Sequence, residues 1–186
     1  MSELVLNAVN EMLLSIGESP VTTLDSGLLE AKTALQILDR ESTRIQSIGY
    51  PFNTEENFPL IRDIEGIIYL PENTLRVESK AIANGEIKVR GNRLYNAKER
   101  SFLFSSTINV DLILKLLFDE LPESGRTYIT LKAARIFQDR LIGDGNVHGY
   151  QQNDEEMARY YFLQEVDTKK YNIFDGPLQR ELWRYI

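Results

Sequence analysis

Hydrophobic residues near the start of the chain recur at helical spacing and predict two helices. The first follows Ser2, whose hydroxyl can cap a helix N-terminus, and ends at Gly17 before Pro20. The second spans about residues 29–48 and has one polar face. The β-branched stretch between them, residues 21–24, is predicted to be extended. The two apolar stripes consist of Leu4, Val5, Ala8, Val9, Met12, Leu13 and Ile16, then of Ala31, Ala34, Leu35, Leu38, Ile45 and Ile48.

The segment of residues 44–57 ends the second helix and leads into a strand-rich region. Gly49 stands where a helix end favours a left-handed backbone. Pro51 cannot continue a helix and biases Tyr50 toward extended geometry. Because Tyr50 and Phe52 flank the turn, we expect it to be packed against the protein. We interpret the segment as a helix end with a hydrophobic clasp, and as the hinge between a helical part and a β part.

Short alternating or apolar runs between about residues 60 and 118 predict a small antiparallel β unit. Two of the runs flank a Gly91-Asn92 turn, which is a hairpin signal. The first part of the apolar run 108–117 is interpreted as a strand, because polar Asn109 and Asp111 stand among β-branched neighbours. The predicted strand runs are residues 67–70, 75–77, 87–90, 94–95, 102–104 and the first part of 108–117.

Helical spacing resumes after a junction at residues 118–123. It predicts a third helix over residues 126–142, on whose polar face Arg135 and Asp139 can pair across one turn. A loop holding His148 and Tyr150 then leads to a fourth helix, which starts near residue 153. The apolar positions of these two helices are Ile129, Ala133, Ile136, Phe137 and Leu141, then Ala158, Tyr161, Phe162 and Val166.

The order of two helices, several strands and two helices predicts an α+β fold. We expect a discontinuous bundle of four main helices with an inserted small antiparallel β domain. Its halves would span residues 1–58 and 123–170, and the β insertion would span residues 59–122. The remaining residues, 171–186, are too apolar for a solvated tail, so we expect an arm that docks on its own bundle, on another subunit or on a partner. The candidate partner-binding residues are Leu178, Leu182, Trp183, Tyr185 and Ile186.

Composition narrows the function further. The chain has 186 residues, no Cys and a net charge of −7. It therefore has no disulfide framework and no thiol nucleophile, and its acidity makes it a poor general binder of nucleic acid. No apolar run approaches the roughly 20 residues that a membrane span needs. The N-terminus lacks the basic region of a secretory signal, so we expect a soluble protein made in a cytoplasm.

Residues capable of catalysis are sparse in the sequence. His148, the one histidine, lies in the segment G-N-V-H-G-Y without metal-ligand spacing, and we interpret it as structural or exposed. The glycines occur singly rather than in a phosphate-binding loop. Adjacent acids point apart on a helix or strand, so they do not form the carboxylate pair of a glycosidase, and helix N-terminal charge and solvation explain them. These pairs are Glu55/Glu56, Asp119/Glu120 and Glu155/Glu156. We expect no catalytic residue, cofactor site or metal site.

Several stretches, taken together in their order along the chain, resemble the tail tubular protein A family of short-tailed bacteriophages. The hairpin V-R-G-N-R-L-Y-N and the segment Y-N-I-F-D at residues 171–175 share in the resemblance, which covers nearly the whole chain. The other stretches are A-V-N-E-M-L-L-S-I-G-E-S-P-V-T-T-L at residues 8–24, R-I-Q-S-I-G-Y-P-F-N-T-E at residues 44–55, and F-D-E-L-P-E at residues 118–123 with A-A-R-I-F-Q-D-R at residues 133–140.

The resemblance implies a structural, non-enzymatic protein of the virion tail. It implies a dodecameric ring below the portal protein, continuous with a channel through which genomic DNA passes without sequence-specific binding. Such a head-tail connector joins the portal to the nozzle protein, tail tubular protein B, helps to retain packaged DNA before ejection and gives tail fibres a place to attach. Because the β region here is compact, we expect its fibre-facing loops to be shorter or different.

Other interpretations stay open at this point. An acidic channel wall would repel DNA phosphates and let a duplex slide, but acidity can also serve solubility alone. The chain could instead be a virion-associated glycan hydrolase that acts on host surface polysaccharide, with acids brought together from distant stretches. It could also be a small interaction module unrelated to phages, which would form a low-order oligomer.

Overall fold

A computed structural model of the protein describes residues 2–143 and 145–168. Its fold is α+β, with helices and small antiparallel sheets, as predicted. Residues 43–116 form one compact unit, here called the β unit, and the described residues on either side form another, the helical unit. In chain order the elements are α1 (Glu3–Leu14), α2 (Leu29–Gln46), β1 (Thr54–Leu60), β2 (Thr74–Glu78), α3 (Lys80–Ala83), β3 (Ile87–Arg90), β4 (Arg93–Asn96), β5 (Ile108–Leu114), a 3-10 helix (Phe118–Glu120), α4 (Glu123–Leu141) and α5 (Gly145–Thr168).

Both caps of helix α1 agree with the sequence prediction. The Ser2 hydroxyl accepts a hydrogen bond from the Leu4 backbone N–H at 3.2 Å, which satisfies one of the free donors at a helix start. At the other end Gly17 has a φ of 80°, and the Glu18 N–H donates to the Leu13 carbonyl at 3.0 Å, as in a Schellman motif. The helix buries Ala8, Val9, Met12 and Leu13.

Helix α2 follows its predicted stripe except at the C-terminal end. Ile48, predicted to be buried, is 57% exposed because the helix ends at Gln46. The prediction of extended backbone over residues 21–24 is also wrong, since these residues form bends and a turn. Asn10 fixes the start of this turn, because its side chain donates to the Val21 carbonyl at 3.0 Å and accepts from the Val21 N–H at 2.8 Å. The buried apolar residues of α2 are Ala31, Ala34, Ile37, Leu38 and Ile45.

Helix α5 begins at Gly145 rather than near residue 153. His148 and Tyr150 therefore lie in a helix and not in the predicted loop. Asn153 and Asp154 are typical N-cap residues and favour the later start, but His148 in the first part of the helix contacts Asp139 of α4. Tertiary contacts of this kind commonly outweigh local propensity. Helix α4 likewise begins at Glu123, three residues before its predicted start.

Helices α4 and α5 pack closely through aromatic rings. Tyr128 and Phe162 stack with their centroids 5.8 Å apart. A Cβ atom at Gly125 would lie 3.2 Å from the Phe162 ring, so glycine makes room for that ring. Two residues of the predicted apolar stripes face outward instead: Leu141 is 48% exposed and Tyr161 is 57% exposed.

Strand β5 forms the centre of a three-stranded antiparallel sheet in the order β1-β5-β2. The predicted strands at residues 75–77 and in the first part of 108–117 are thereby confirmed, whereas the runs at 67–70 and 102–104 form only isolated bridges. Strand β1 corrects the sequence prediction, which assigned residues 54–58 to the helical part. Its residues are mostly exposed and lack alternation, because β1 is an edge strand with a bulge and Pro59.

The predicted hairpin is confirmed as β3 paired with β4. Gly91 occupies the first central position of its two-residue turn with a φ of 61°, where a type II′ turn places glycine. The hairpin contributes Ile87 and Leu94 to the core of the β unit. That core consists of Leu60, Ile68, Leu70, Val77, Ile87, Leu94, Phe104, Val110 and Leu112.

The buried side-chain amide of Asn53 connects the end of α2 with strand β5. Its oxygen accepts from the Tyr50 N–H at 2.8 Å, and its nitrogen donates to the carbonyls of Gln46 and Leu114, both at 2.9 Å. The Asn53 carbonyl in turn accepts from the Leu114 N–H at 2.9 Å. Tyr50 and Phe52 stack with centroids 5.5 Å apart, which confirms that the turn is packed.

Gly49 has the left-handed backbone that the sequence predicts, with a φ of 85°. It also lies against strand β5, because an added Cβ would be 2.6 Å from Ile113 Cδ1 and 3.2 Å from Arg76 Nη2. Arg76 Nη2 donates to the carbonyl of Ile48 at 2.8 Å, next to this glycine. Glycine is thus required here for two separate reasons, conformation and space.

Replacing Gly49 with valine should lower the free energy of unfolding by roughly 2–4 kcal/mol, since left-handed strain and crowding of Ile113 act together. Gly85→Val is the matched control in the same unit, because Gly85 has a φ of 75° but no atom near its missing Cβ. The control should cost only the conformational part, about 1–2 kcal/mol. Urea unfolding followed by circular dichroism measures both. Equal losses in the two variants would contradict the close approach to Ile113.

Replacing Asn53 with alanine should cost about 1–3 kcal/mol, because it removes three hydrogen bonds between this buried amide and the backbone. Asn73→Ala is the control, since Asn73 is exposed and its side chain makes a single hydrogen bond, to the Lys115 carbonyl at 3.1 Å. We expect the control to unfold within about 0.5 kcal/mol of the wild type. Thermal unfolding of the two variants side by side tests this, and indistinguishable midpoints would refute the structural role of the Asn53 amide.

Candidate interaction surfaces

A cluster of charged and polar side chains in the helical unit lies between α4 and α5. Arg135 donates from Nε to Glu155 Oε2 at 2.6 Å and from Nη1 to Asp139 Oδ2 at 3.2 Å, so the predicted Arg135–Asp139 pair is confirmed. Lys132 Nζ lies 3.8 Å from the other Glu155 oxygen. The hydrogen bond to Glu155 raises the pKa of the Arg135 guanidinium above its ordinary value and outweighs the opposing effect of burial.

His148 belongs to this cluster and is not an isolated histidine. Its Nδ1 lies 2.7 Å from Asp139 Oδ1, on the carboxylate that also receives Arg135. The contact joins two helices through polar side chains, a structural role that agrees with the sequence interpretation. A local sequence pattern could not reveal it, because the partner lies on the preceding helix.

The three pairs of adjacent acids lie in three different elements, and two of the pairs are not at the expected helix N-termini. Glu55 and Glu56 lie in strand β1, and Glu155 and Glu156 lie within α5. Asp119 and Glu120 do lie in a first turn, that of the 3-10 helix. There Asp119 accepts a hydrogen bond from the Ser2 hydroxyl, and Glu120 accepts one from the Leu117 N–H at 2.8 Å. Nothing in these contacts favours glycan hydrolysis.

Two other features are absent from the described residues: a metal-binding cluster and a membrane-spanning helix. In that part of the chain, no group of three or more His, Asp or Glu side chains could hold a metal ion. Every helix there is too short or too polar to span a lipid bilayer.

Helix α5 presents a row of large exposed side chains, here called the tyrosine face. Tyr150, Met157 and Tyr161 follow each other at intervals of seven and four residues, so they share one side of the helix. They are 75%, 53% and 57% exposed, and Tyr160 beside them is 55% exposed. Tyrosine and methionine are enriched at the centres of protein interfaces. Sequence reasoning missed this face because it began α5 too late and counted Tyr161 among the buried residues.

The predicted partner-binding residues of the arm lie outside the described residues. They are Leu178, Leu182, Trp183, Tyr185 and Ile186. Their assignment to partner binding therefore stays a prediction.

Comparison with known proteins identifies the family. A family model described as "Tail tubular protein" matches residues 6–171. The chain is also 27% identical, over 180 residues, to tail tubular protein A of Klebsiella phage KP34, and the match covers 96% of each protein. The resemblance seen in the sequence is thus confirmed. The chain belongs to the tail tubular protein family and is a structural component of a phage tail.

Proposed function

We propose that this chain is the ring-forming adaptor that joins the portal to the tail nozzle of a short-tailed phage, and that it has no enzymatic activity. The observation that carries the proposal is the match to the tail tubular protein family over nearly the whole chain. In the proposal a ring, dodecameric by the family resemblance, surrounds a channel for the genome. The portal lies on one side of the ring, and tail tubular protein B lies on the other.

The chemistry of the described surface supports an assembly role. Between α4 and α5, Lys132 and Arg135 pair with Glu155, and Arg135 also pairs with Asp139, so these charges stabilise the packing of the two helices. The tyrosine face leaves four large side chains in water on one helix. A ring places such faces against a neighbour and thereby removes their apolar surface from water.

The arm is proposed to help this assembly. Residues 171–186 come after α5 in the sequence and contain five large hydrophobic residues near their end: Leu178, Leu182, Trp183, Tyr185 and Ile186. An apolar segment of this kind gains most when it is buried on a neighbouring subunit or on the portal. We propose the same domain organisation as in the sequence prediction: a helical bundle that is interrupted by a β insertion and followed by this arm.

Light scattering of the purified chain, alone and mixed with the portal of the same genome, tests the adaptor proposal. We expect a monomer or a ring alone and a complex of defined mass with the portal. The matched control is a portal from an unrelated phage, which should leave the mass unchanged. A small oligomer that ignores its own portal would refute the adaptor function. Release of reducing sugar from host polysaccharide would instead establish the hydrolase.

Deletion of residues 171–186 should leave the secondary structure and the unfolding midpoint unchanged but weaken assembly by about tenfold or more, because anchoring aromatic and apolar side chains are lost. The length-matched test is a full chain with Leu178, Leu182 and Trp183 replaced by serine. Its control replaces the neighbouring Gln179, Arg180 and Arg184 by serine. Assembly masses and dissociation constants compare the three. Normal assembly of the deletion variant would rule out a role for the arm.

A further inference from the structure

The β3–β4 hairpin carries its positive charges on one side. In its register Lys88 pairs with Tyr95, and Arg90 pairs with Arg93. Because directly opposite residues of an antiparallel pair point to the same face, all four side chains share one face. The other face supplies Ile87 and Leu94 to the core. We call Lys88, Arg90 and Arg93, with the rings of Tyr95 and Phe102 that contact the two arginines, the basic hairpin face.

Aromatic rings hold both arginines of this face in place. The Arg90 guanidinium carbon lies 3.6 Å from the Tyr95 ring centre, and that of Arg93 lies 4.4 Å from the Phe102 ring centre. The two rings touch edge to face, with centroids 5.0 Å apart. A guanidinium stacked on a ring uses its flat side for the ring and keeps its N–H edge for a carboxylate or a phosphate. The arginines are therefore ordered before any ligand arrives, which reduces the entropy lost on binding.

Placing three positive charges on one face of the hairpin lowers the stability of the β unit. Like charges directly opposite each other in a sheet, as in Arg90 and Arg93, are destabilising. Lys88 stands two residues from Arg90 on the same face and adds a third positive charge. Within residues 2–143 and 145–168, none of the three forms an ion pair that would offset the repulsion. Local rules are broken in this way mostly at binding sites, and three cations on one face are suited to an anion.

The distribution of charge along the chain identifies a source of that anion. Residues 43–116 hold ten Lys and Arg against nine Asp and Glu, whereas the rest of the chain holds 11 against 19. The net charge of −7 therefore arises outside the β unit. Arginine, tyrosine and phenylalanine are typical of the anchoring residues in protein interfaces, whereas the near-neutral β unit is a weak electrostatic footprint for nucleic acid.

We propose that the basic hairpin face binds carboxylates on the helical unit of a second copy of this chain. This inference rests on the ring proposed above and names one of its contacts. Arg90 and Arg93 supply paired N–H donors to the neighbour's carboxylates, Lys88 adds a third charge, and Tyr95 and Phe102 fix the geometry. Salt weakens such a contact, because the charges lie at the protein surface.

The test reverses three charges on this face and three elsewhere on the same unit. The hairpin variant carries Lys88→Glu, Arg90→Glu and Arg93→Glu. The control variant carries Arg62→Glu, Lys80→Glu and Lys98→Glu, which alter exposed cations by the same total charge. Circular dichroism first confirms that both variants keep the fold. Sedimentation then measures self-association of the full chain at about 50, 150 and 500 mM salt.

We expect the hairpin variant to associate at least tenfold more weakly than the wild type at low salt, and the control to stay within about threefold. A milder variant, Arg90→Lys with Arg93→Lys, keeps the charge but loses the planar stack, and it should give an intermediate loss. Equal weakening in both triple variants would assign the effect to overall charge and overturn the proposal. So would wild-type assembly by the hairpin variant, or a wild type that remains monomeric at every concentration.

Two further measurements separate this inference from its alternatives. A labelled DNA duplex that binds the wild type but not the hairpin variant, while self-association is unaffected, would assign the face to phosphate and overturn the proposal. A wild type that binds the portal without associating with its own copies would also overturn it, whereas the portal contact of the proposed function would stand. Self-association through this face without portal binding would support the inference and refute the adaptor function.

Discussion

A single buried amide determines how the helical segment of the β unit meets its sheet. The Asn53 side chain bonds at once to the end of α2, to the turn after it and to the last residue of β5. Each of these hydrogen bonds helps to satisfy a backbone polar group that lies away from water, where a lost hydrogen bond is costly. Few side chains combine one acceptor and two donors on a stem short enough for this position. The sheet thus begins at a defined place relative to the end of the helix.

Gln46 provides a second clamp at the same end of the β unit. Its amide donates to the Leu116 carbonyl at 3.2 Å and accepts from the Leu116 N–H at 2.8 Å. Gln46 lies shortly after the chain enters this unit, and Leu116 is the unit's last residue. The two places where the chain enters and leaves are therefore fixed side by side. An inserted unit whose two ends lie close together causes little disturbance in the surrounding fold, because the chain on either side of it need not be pulled apart.

The features that could be predicted from the sequence depend on neighbours in the chain. The α1 caps, the left-handed Gly49 and the hairpin turn at Gly91 each follow from local backbone chemistry. Strand β1 could not be predicted, because its polar residues form a strand only through pairing with β5, about fifty residues later. The start of α5 was missed for a similar reason, since the contact of His148 with Asp139 joins it to the preceding helix. The stacking of Arg93 on Phe102 could not be predicted from the sequence either, because Phe102 lies outside the hairpin.

The two candidate surfaces differ in chemistry, and that difference bears on assembly. A two-fold contact requires one surface to complement itself, whereas a ring built head to tail requires two different surfaces on each copy. The tyrosine face belongs to the helical unit, and the basic hairpin face belongs to the β unit. The hairpin face is strongly positive and cannot pair with itself, because like charges across an interface repel. An acidic helical unit and a basic hairpin instead give each copy two surfaces of opposite sign, and the head-to-tail ring proposed above would use one of each at every contact.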